Sequence, residues 1–208
     1  MTGRGRPPDP NLEARVYEAA LTLYGEAGWA GFSLDAVARR ARVGKAGLYS
    51  RWGSKERLIV DALAAWIPPR PSGGGPGPLR EELIRLATAI FDSYFDPVGL
   101  VYLRAQLEAM IYPDLFGQAL ERLQRERIRL GRAIVLRAVE RGELPEGTSP
   151  ALVLDSVSGI LSNHVLSTPA SQRRALLGRR DEYVEQTVDF VLSAVGYRAQ
   201  GRDGLLSL

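Results

Sequence analysis

FSLDAVARRARVGKAGLYSRWGSK, residues 32–55, is the stretch whose reading decides the fold. Ser33 stands just before an apolar-periodic run and can cap the helix that follows. Leu34, Val37, Ala38 and Ala41 recur at three and four, which gives one apolar helix face. Arg42-Val43-Gly44 then reads as a turn, with Val43 as its apolar plug and Gly44 supplying a permissive backbone. In Lys45 to Trp52, Leu48 and Trp52 lie four apart and point inward together. Ser54 caps a further helix with Lys55 and Glu56 in its first turn. Two short helices around a tight turn form a helix-turn-helix, whose second helix is suited to a DNA major groove.

The outer face carries the residue types that such binding requires. Lys45, Arg51 and Lys55 supply positive charge for phosphates. Tyr49 and Ser50 supply hydroxyl donors. Ala46 and Gly47 are small enough to let backbone approach base edges or a thymine methyl. A glycine inside a helix costs about 1 kcal/mol against alanine, so Gly47 suggests close approach to something. With Ser33, Arg42 and Gly44 at the helix start and the turn, these residues are the candidate DNA contacts. The plain alternative is a solvated helix that tolerates a glycine.

From here outward the sequence resembles the tetracycline-repressor (TetR) family of bacterial regulators. The resemblance rests on Val16-Tyr17-Glu18-Ala19-Ala20, Leu23-Tyr24-Gly25-Glu26-Ala27-Gly28 and Phe32-Ser33-Leu34-Asp35-Ala36-Val37-Ala38. It continues through Val43-Gly44-Lys45-Ala46-Gly47-Leu48-Tyr49 and Trp52-Gly53-Ser54-Lys55-Glu56. It covers roughly residues 11 to 64. Three positions depart from the family's habit. Its turn glycine often falls where this chain has Arg42, its small hydroxyl residue before the lysine is Gly44 here, and an aromatic or His common after the tyrosine is Arg51. Beyond residue 64 the resemblance implies an all-helical regulatory domain.

Composition narrows the function classes. The chain has 208 residues, 45% hydrophobic, with no Cys and one His. A disulfide framework and a thiolate metal site are therefore excluded. No metal-spaced cluster or phosphate-binding glycine loop is present, so no cofactor or metal is expected and an enzyme is disfavoured. A carboxylate-dependent enzyme is the remote alternative. No apolar run is long enough for a membrane span, and the first ten residues lack a signal-peptide core, so a cytoplasmic protein is expected. Net charge is +3, and the basic excess lies in residues 1–60, as a nucleic-acid footprint would. The two lysines, Lys45 and Lys55, both fall in the helix-turn-helix region.

The expected architecture is all-α, with nine helices: an N-terminal three-helix head and a C-terminal helical-bundle regulatory domain. Residues 1–10 read as a mobile basic arm in which Arg4 and Arg6 could reach DNA. Residues 11–66 form the DNA-binding domain: a first helix ended by Gly28, the helix-turn-helix, and a connecting helix from Ser54. Residues 67–78, rich in Pro and Gly, form a linker. Residues 79–197 form the effector-binding and dimerisation domain, with helices near 79–95, 98–111, 114–141, 150–167 and 172–196. Residues 198–208 read as a loose tail.

Two further sites are expected in the body. Tyr183, Val184, Thr187, Val188, Val191 and Leu192 form a stripe on the last helix, and Ser156, Gly159, Ile160 and Asn163 line one side of the preceding helix. By pattern alone they are core; the resemblance implies a homodimer interface, because such proteins dimerise through their final helix pair. Phe91, Tyr94, Phe95, Tyr102, Gln106, Met110, Tyr112, Phe116, Asn163 and His164 are candidate pocket residues for a small-molecule effector, with ordinary core packing as the plain alternative. The expectation is thus a homodimeric regulator of palindromic double-stranded DNA, a repressor released by a small effector, with no membrane partner. A small-molecule sensor or scaffold without operator-specific binding is the alternative.

Overall fold

A computed structural model describes residues 11–66 and 77–199, except for the side chains of Trp66 and residues 115–119. The expected arm, nearly all of the linker and most of the tail lie outside the described residues. So does the side chain of Phe116.

Among the described residues the chain is helical throughout, with ten α-helices and one short 3-10 turn. They are α1 (Leu12–Gly31), α2 (Leu34–Ala41), α3 (Lys45–Trp52), α4 (Lys55–Trp66), α5 (Leu79–Ser93), α6 (Pro97–Ile111), α7 (Pro113–Glu140), α8 (Pro150–Ser167), α9 (Arg173–Gly178) and α10 (Arg180–Ala194). The expected count of nine is corrected because the single helix foreseen over 172–196 is broken. After Gly178, Arg179 leaves helical geometry at φ −109°, ψ 15° and caps α9 through its backbone N–H. Its carbonyl then accepts from Tyr183, and Asp181 and Glu182 favour the new helix N-terminus.

The chain forms two packing units. The first holds α1–α4, α6 and the start of α7. Its centre is α1, which packs against α2, α4 and α6. Val16, Ala20, Tyr24, Phe32, Val37, Leu48, Leu58, Ile59 and Ala62 are buried there. Each large aliphatic or aromatic side chain buried this way contributes roughly 1.5–3 kcal/mol. Helical geometry in α1 breaks at Gly28, at φ 64°, ψ −172°, although hydrogen bonding resumes as far as Gly31.

Sequence alone assigns α6 to the body, beyond the linker; its packing partner is α1. Glu108 makes the joint. Its carboxylate accepts from the Tyr24 hydroxyl at 2.7 Å, the Trp29 backbone N–H at 3.4 Å and Arg104 Nε at 3.2 Å. Arg104 also donates to the Gly25 carbonyl at 3.1 Å. Three donors around one largely buried carboxylate satisfy it and fix α6 against the bend in α1.

The second unit holds α5, the rest of α7, and α8 to α10. Here α5, α8 and α10 pack mutually around Leu83, Phe91, Val157, Leu161, Val188 and Val191. The buried carboxylate of Glu143 accepts from the Leu79 backbone N–H at 2.7 Å and from Arg141 Nε at 2.5 Å. It thus caps α5 from a distant loop and neutralises its own charge. Ser149 caps α8, accepting from Leu152 N–H at 3.4 Å, with Pro150 in the first turn.

Candidate nucleic-acid interface

The helix-turn-helix is built from three local devices. Ser33 Oγ accepts from the Ala36 N–H at 3.2 Å and starts α2. Arg42 ends α2 in the left-handed region, at φ 55°, ψ 48°. Its N–H and that of Val43 return to carbonyls of the last α2 turn, with Val43 N to Ala38 O at 3.0 Å. The permissive backbone is therefore needed at Arg42, not at Gly44, whose φ of −69° suits any residue. Ser54 Oγ accepts from Arg57 N–H at 3.2 Å and starts α4.

On α3, Leu48 and Trp52 are buried, at 2% and 4% exposed. Trp52 meets Tyr17 edge to face, with ring centres 5.9 Å apart. Two anchors four residues apart turn the opposite side outward. Lys45, Ala46, Gly47, Tyr49, Ser50 and Arg51 are all exposed, as are Arg42 and Gly44 beside them. A Cβ placed on Gly47 meets nothing within 4 Å, so the protein's own packing does not require glycine there.

The three cations expected at phosphates have different surroundings. Lys45 Nζ donates to Asp35 Oδ2 at 2.6 Å, and Arg51 donates to Glu13. Both pairs are half exposed. The second oxygen of Glu13 accepts from the Tyr17 hydroxyl at 2.8 Å. Burial, and next this bond to a carboxylate, push the Tyr17 phenol up to about 12. Lys55 is different: its ammonium donates to the carbonyls of Trp29 and Phe32, at 3.1 and 3.2 Å. It closes α1, and this structural task was invisible in the sequence. Exposed Glu26 and Arg40 form a bidentate pair at 2.6 and 2.9 Å, and the hydrogen bond from Arg40 lowers the Glu26 carboxyl.

The candidate pocket residues are divided between the two packing units. Phe91 is core of the second unit, with Tyr94 and Phe95 packed against it; Tyr102 is core of the first. Met110 and Tyr112 are exposed, and Gln106 is half-buried. Tyr94 shares a 2.5 Å hydrogen bond with Ser162. His164 stacks on Tyr183 with ring centres 4.0 Å apart, while Asn163 is exposed. Among the described residues, no group of three His, Cys, Asp or Glu side chains could hold a metal ion.

The expected dimer stripe also divides. Val184, Thr187, Val188, Val191 and Leu192 are buried within their own chain, and Tyr183 is half-buried. These five residues serve the intrachain core. Ser156, Gly159 and Asn163 are exposed and Ile160 is half-buried. The exposed apolar groups missed by the sequence reading are Leu152 and Leu166 on α8 and Phe190 on α10, at 68%, 51% and 65% exposed. Their signal was present: positions 152, 156, 159, 163 and 166 recur at four and three along α8.

This architecture and exposed α3 define a helix-turn-helix transcriptional regulator, and relatives agree. The chain is 30% identical over 166 residues to the "Uncharacterized HTH-type transcriptional regulator Rv1556" of Mycobacterium tuberculosis, covering 77% of this chain and 79% of that protein. It is 24% identical over 165 residues to the "Uncharacterized HTH-type transcriptional regulator YdeS" of Bacillus subtilis, covering 79% and 83%. Salmonella enterica GusR has a similar fold, with a TM-score of 0.69 at 17% identity over 90% of this chain and 98% of that one. Residues 16–62 match the model for bacterial regulatory proteins of the tetR family, and residues 76–191 match the tetracyclin repressor-like C-terminal domain. The chain belongs to the TetR family of transcriptional regulators, not to an enzyme family. No helix among the described residues is long and apolar enough to cross a membrane.

Proposed function

We propose that the chain acts as a homodimeric repressor that grips a palindromic operator with two copies of α3 and releases it on binding a small molecule. The observation that carries this reading is the division of α3. Its buried pair, Leu48 and Trp52, leaves a continuous outer face of Lys45, Ala46, Gly47, Tyr49, Ser50 and Arg51. Lys45 and Arg51 are the phosphate contacts, with Ser33 donating its remaining hydroxyl proton and Arg42 reaching from the turn. Gly47, open on its outer side, admits close approach to base edges. Lys55 is assigned to closing α1 rather than to DNA.

Dimerisation is proposed through exposed α8 and α10, where Leu152, Gly159, Leu166 and Phe190 replace the buried stripe of the last helix as the meeting surface. A two-fold pair of heads spaced by one DNA turn, roughly 34–36 Å, reads a palindrome. An effector that favours one spacing of the heads over another shifts the balance between bound and free operator. Footprinting on the DNA upstream of the chain's own gene tests the reading. Two protected half-sites on one face of the duplex are expected. Weak, sequence-blind protection would instead favour a sensor or scaffold without operator recognition.

A further inference from the structure

Both outward cations at the ends of α3 are held by carboxylates from other helices. Lys45 is held by Asp35 of α2 at 2.6 Å, and Arg51 by Glu13 of α1. The side chains are 57% and 42% exposed in the first pair, and 51% and 45% in the second. Glu13 is itself fixed, since one of its oxygens takes the Tyr17 hydroxyl while the other takes Arg51. Tyr17 in turn rests edge-on against the buried Trp52. The carboxylate is thus built into the same core that presents α3.

We propose that Asp35 and Glu13 are restraining residues that compete with DNA phosphates for Lys45 and Arg51 and so set how tightly the head grips any duplex; the inference rests on the DNA-binding reading above. A duplex that offers only backbone must take each cation from a carboxylate, and it leaves that carboxylate facing phosphates. The exchange gives little, because an exposed pair and an exposed phosphate contact are of similar strength. A correct operator adds base contacts on the same face, and these make the exchange favourable. Any duplex meets this cost, so the two carboxylates lower affinity for DNA as a whole, and base contacts decide which sequence overcomes it.

The test needs no knowledge of the operator. Full-length protein is titrated into a fluorescent random-sequence 30-base-pair duplex at several salt concentrations. Asp35→Asn and Glu13→Gln are each expected to tighten binding about threefold. Each should also steepen the slope of log K against log salt by up to about 0.9 per freed cation. Glu26→Gln adds the same charge but frees Arg40 of α2, so it should steepen the slope less. In the background of Lys45→Ala, Asp35→Asn should lose its effect, as should Glu13→Gln in Arg51→Ala. Thermal melts of each variant establish that the head remains folded. Gains equal to that of Glu26→Gln, or gains that survive loss of the partner cation, overturn the inference while DNA binding stands. Absence of binding by every form at low salt overturns the DNA-binding reading and this inference with it.

Discussion

The ammonium of Lys55 lies 4.0 Å from the centre of the Trp29 ring and donates to that residue's own carbonyl oxygen, 3.1 Å away. A second bond to the Phe32 carbonyl completes the closure of α1, just where α2 is about to begin. Lys55→Ala should therefore lower head stability by about 1–3 kcal/mol, the usual range for charge-assisted hydrogen bonds. Lys45→Ala removes only an exposed ion pair and should change stability by about 0–1 kcal/mol. Urea denaturation of the two variants checks the contrast. An equal effect of both would remove the capping role.

Trp52 is almost fully buried beneath the reading face. Trp52→Ala should lower stability by about 3–5 kcal/mol, through lost burial and the cavity left behind. The loss should appear as an unfolding transition of the head in circular dichroism before any change specific to DNA contacts is seen. A head that melts like the wild type would contradict the anchor role.

Arg42 holds a backbone conformation that glycine adopts freely. Arg42→Gly should raise the melting temperature, because left-handed geometry costs a side-chain-bearing residue about 1–2 kcal/mol, partly offset by glycine's unfolded-state entropy. The same change should weaken duplex binding and flatten its salt dependence. Calorimetry and anisotropy separate the two effects. A variant that gains stability and keeps its full affinity would leave Arg42 without a DNA role.

Alkaline stability should follow the tyrosines bonded to carboxylates. Tyr17 stands at about 12 in the folded chain against an ordinary 10.0, and Tyr24 is raised in the same direction by burial and then by its bond to Glu108. Raised pKa values favour the neutral phenol in the folded state. The contribution of Tyr17 is complete below pH 10, falls as pH rises from 10 towards 12, and is lost above that, while the fall for Tyr24 begins at the same pH and continues beyond the Tyr17 window. Urea midpoints measured across this window should decline, and Tyr17→Phe should make the decline shallower. A decline of unchanged steepness would exclude Tyr17 as a source.

Phe190 is 65% exposed, whereas its neighbours Val188 and Val191 are buried. Phe190→Asp should convert a dimer to monomer in light scattering and leave the helical signal intact. The same change at Val188 should unfold the second unit instead. A Phe190→Asp dimer as tight as the wild type would move the interface away from α10.

The head was legible in the sequence because its signals are local. Caps at Ser33 and Ser54, apolar spacing through α2, and the Leu48–Trp52 pair each act within a few residues. What escaped is set by partners distant in the chain. Glu108 on α6 meets Tyr24 and the Trp29 peptide on α1, and no periodicity in either helix announces that meeting. The stripe on α10 shows the same limit from the other side: spacing identifies an apolar face, but only the fold decides whether α5 and α8 already cover it. The pocket candidates fall in both packing units because aromatic content names no neighbour. The misplaced turn glycine has a simpler cause, since the residue type at 44 was more suggestive than the conformation that position 42 adopts.

A Cβ built on Gly28 would come within 2.1 Å of the Arg104 guanidinium, on top of a backbone at φ 64°. The absence of a side chain at one position is thus matched to the length of the side chain at the other. Gly28 is constrained twice, by its positive φ and by the arginine head beside it, whereas Arg104 can shorten without straining the bend. A descendant that shortened Arg104 would open room beside the bend, and one that acquired even a methyl group at 28 would have to find a new seat for that arginine. Position 28 should therefore keep its glycine even where position 104 varies.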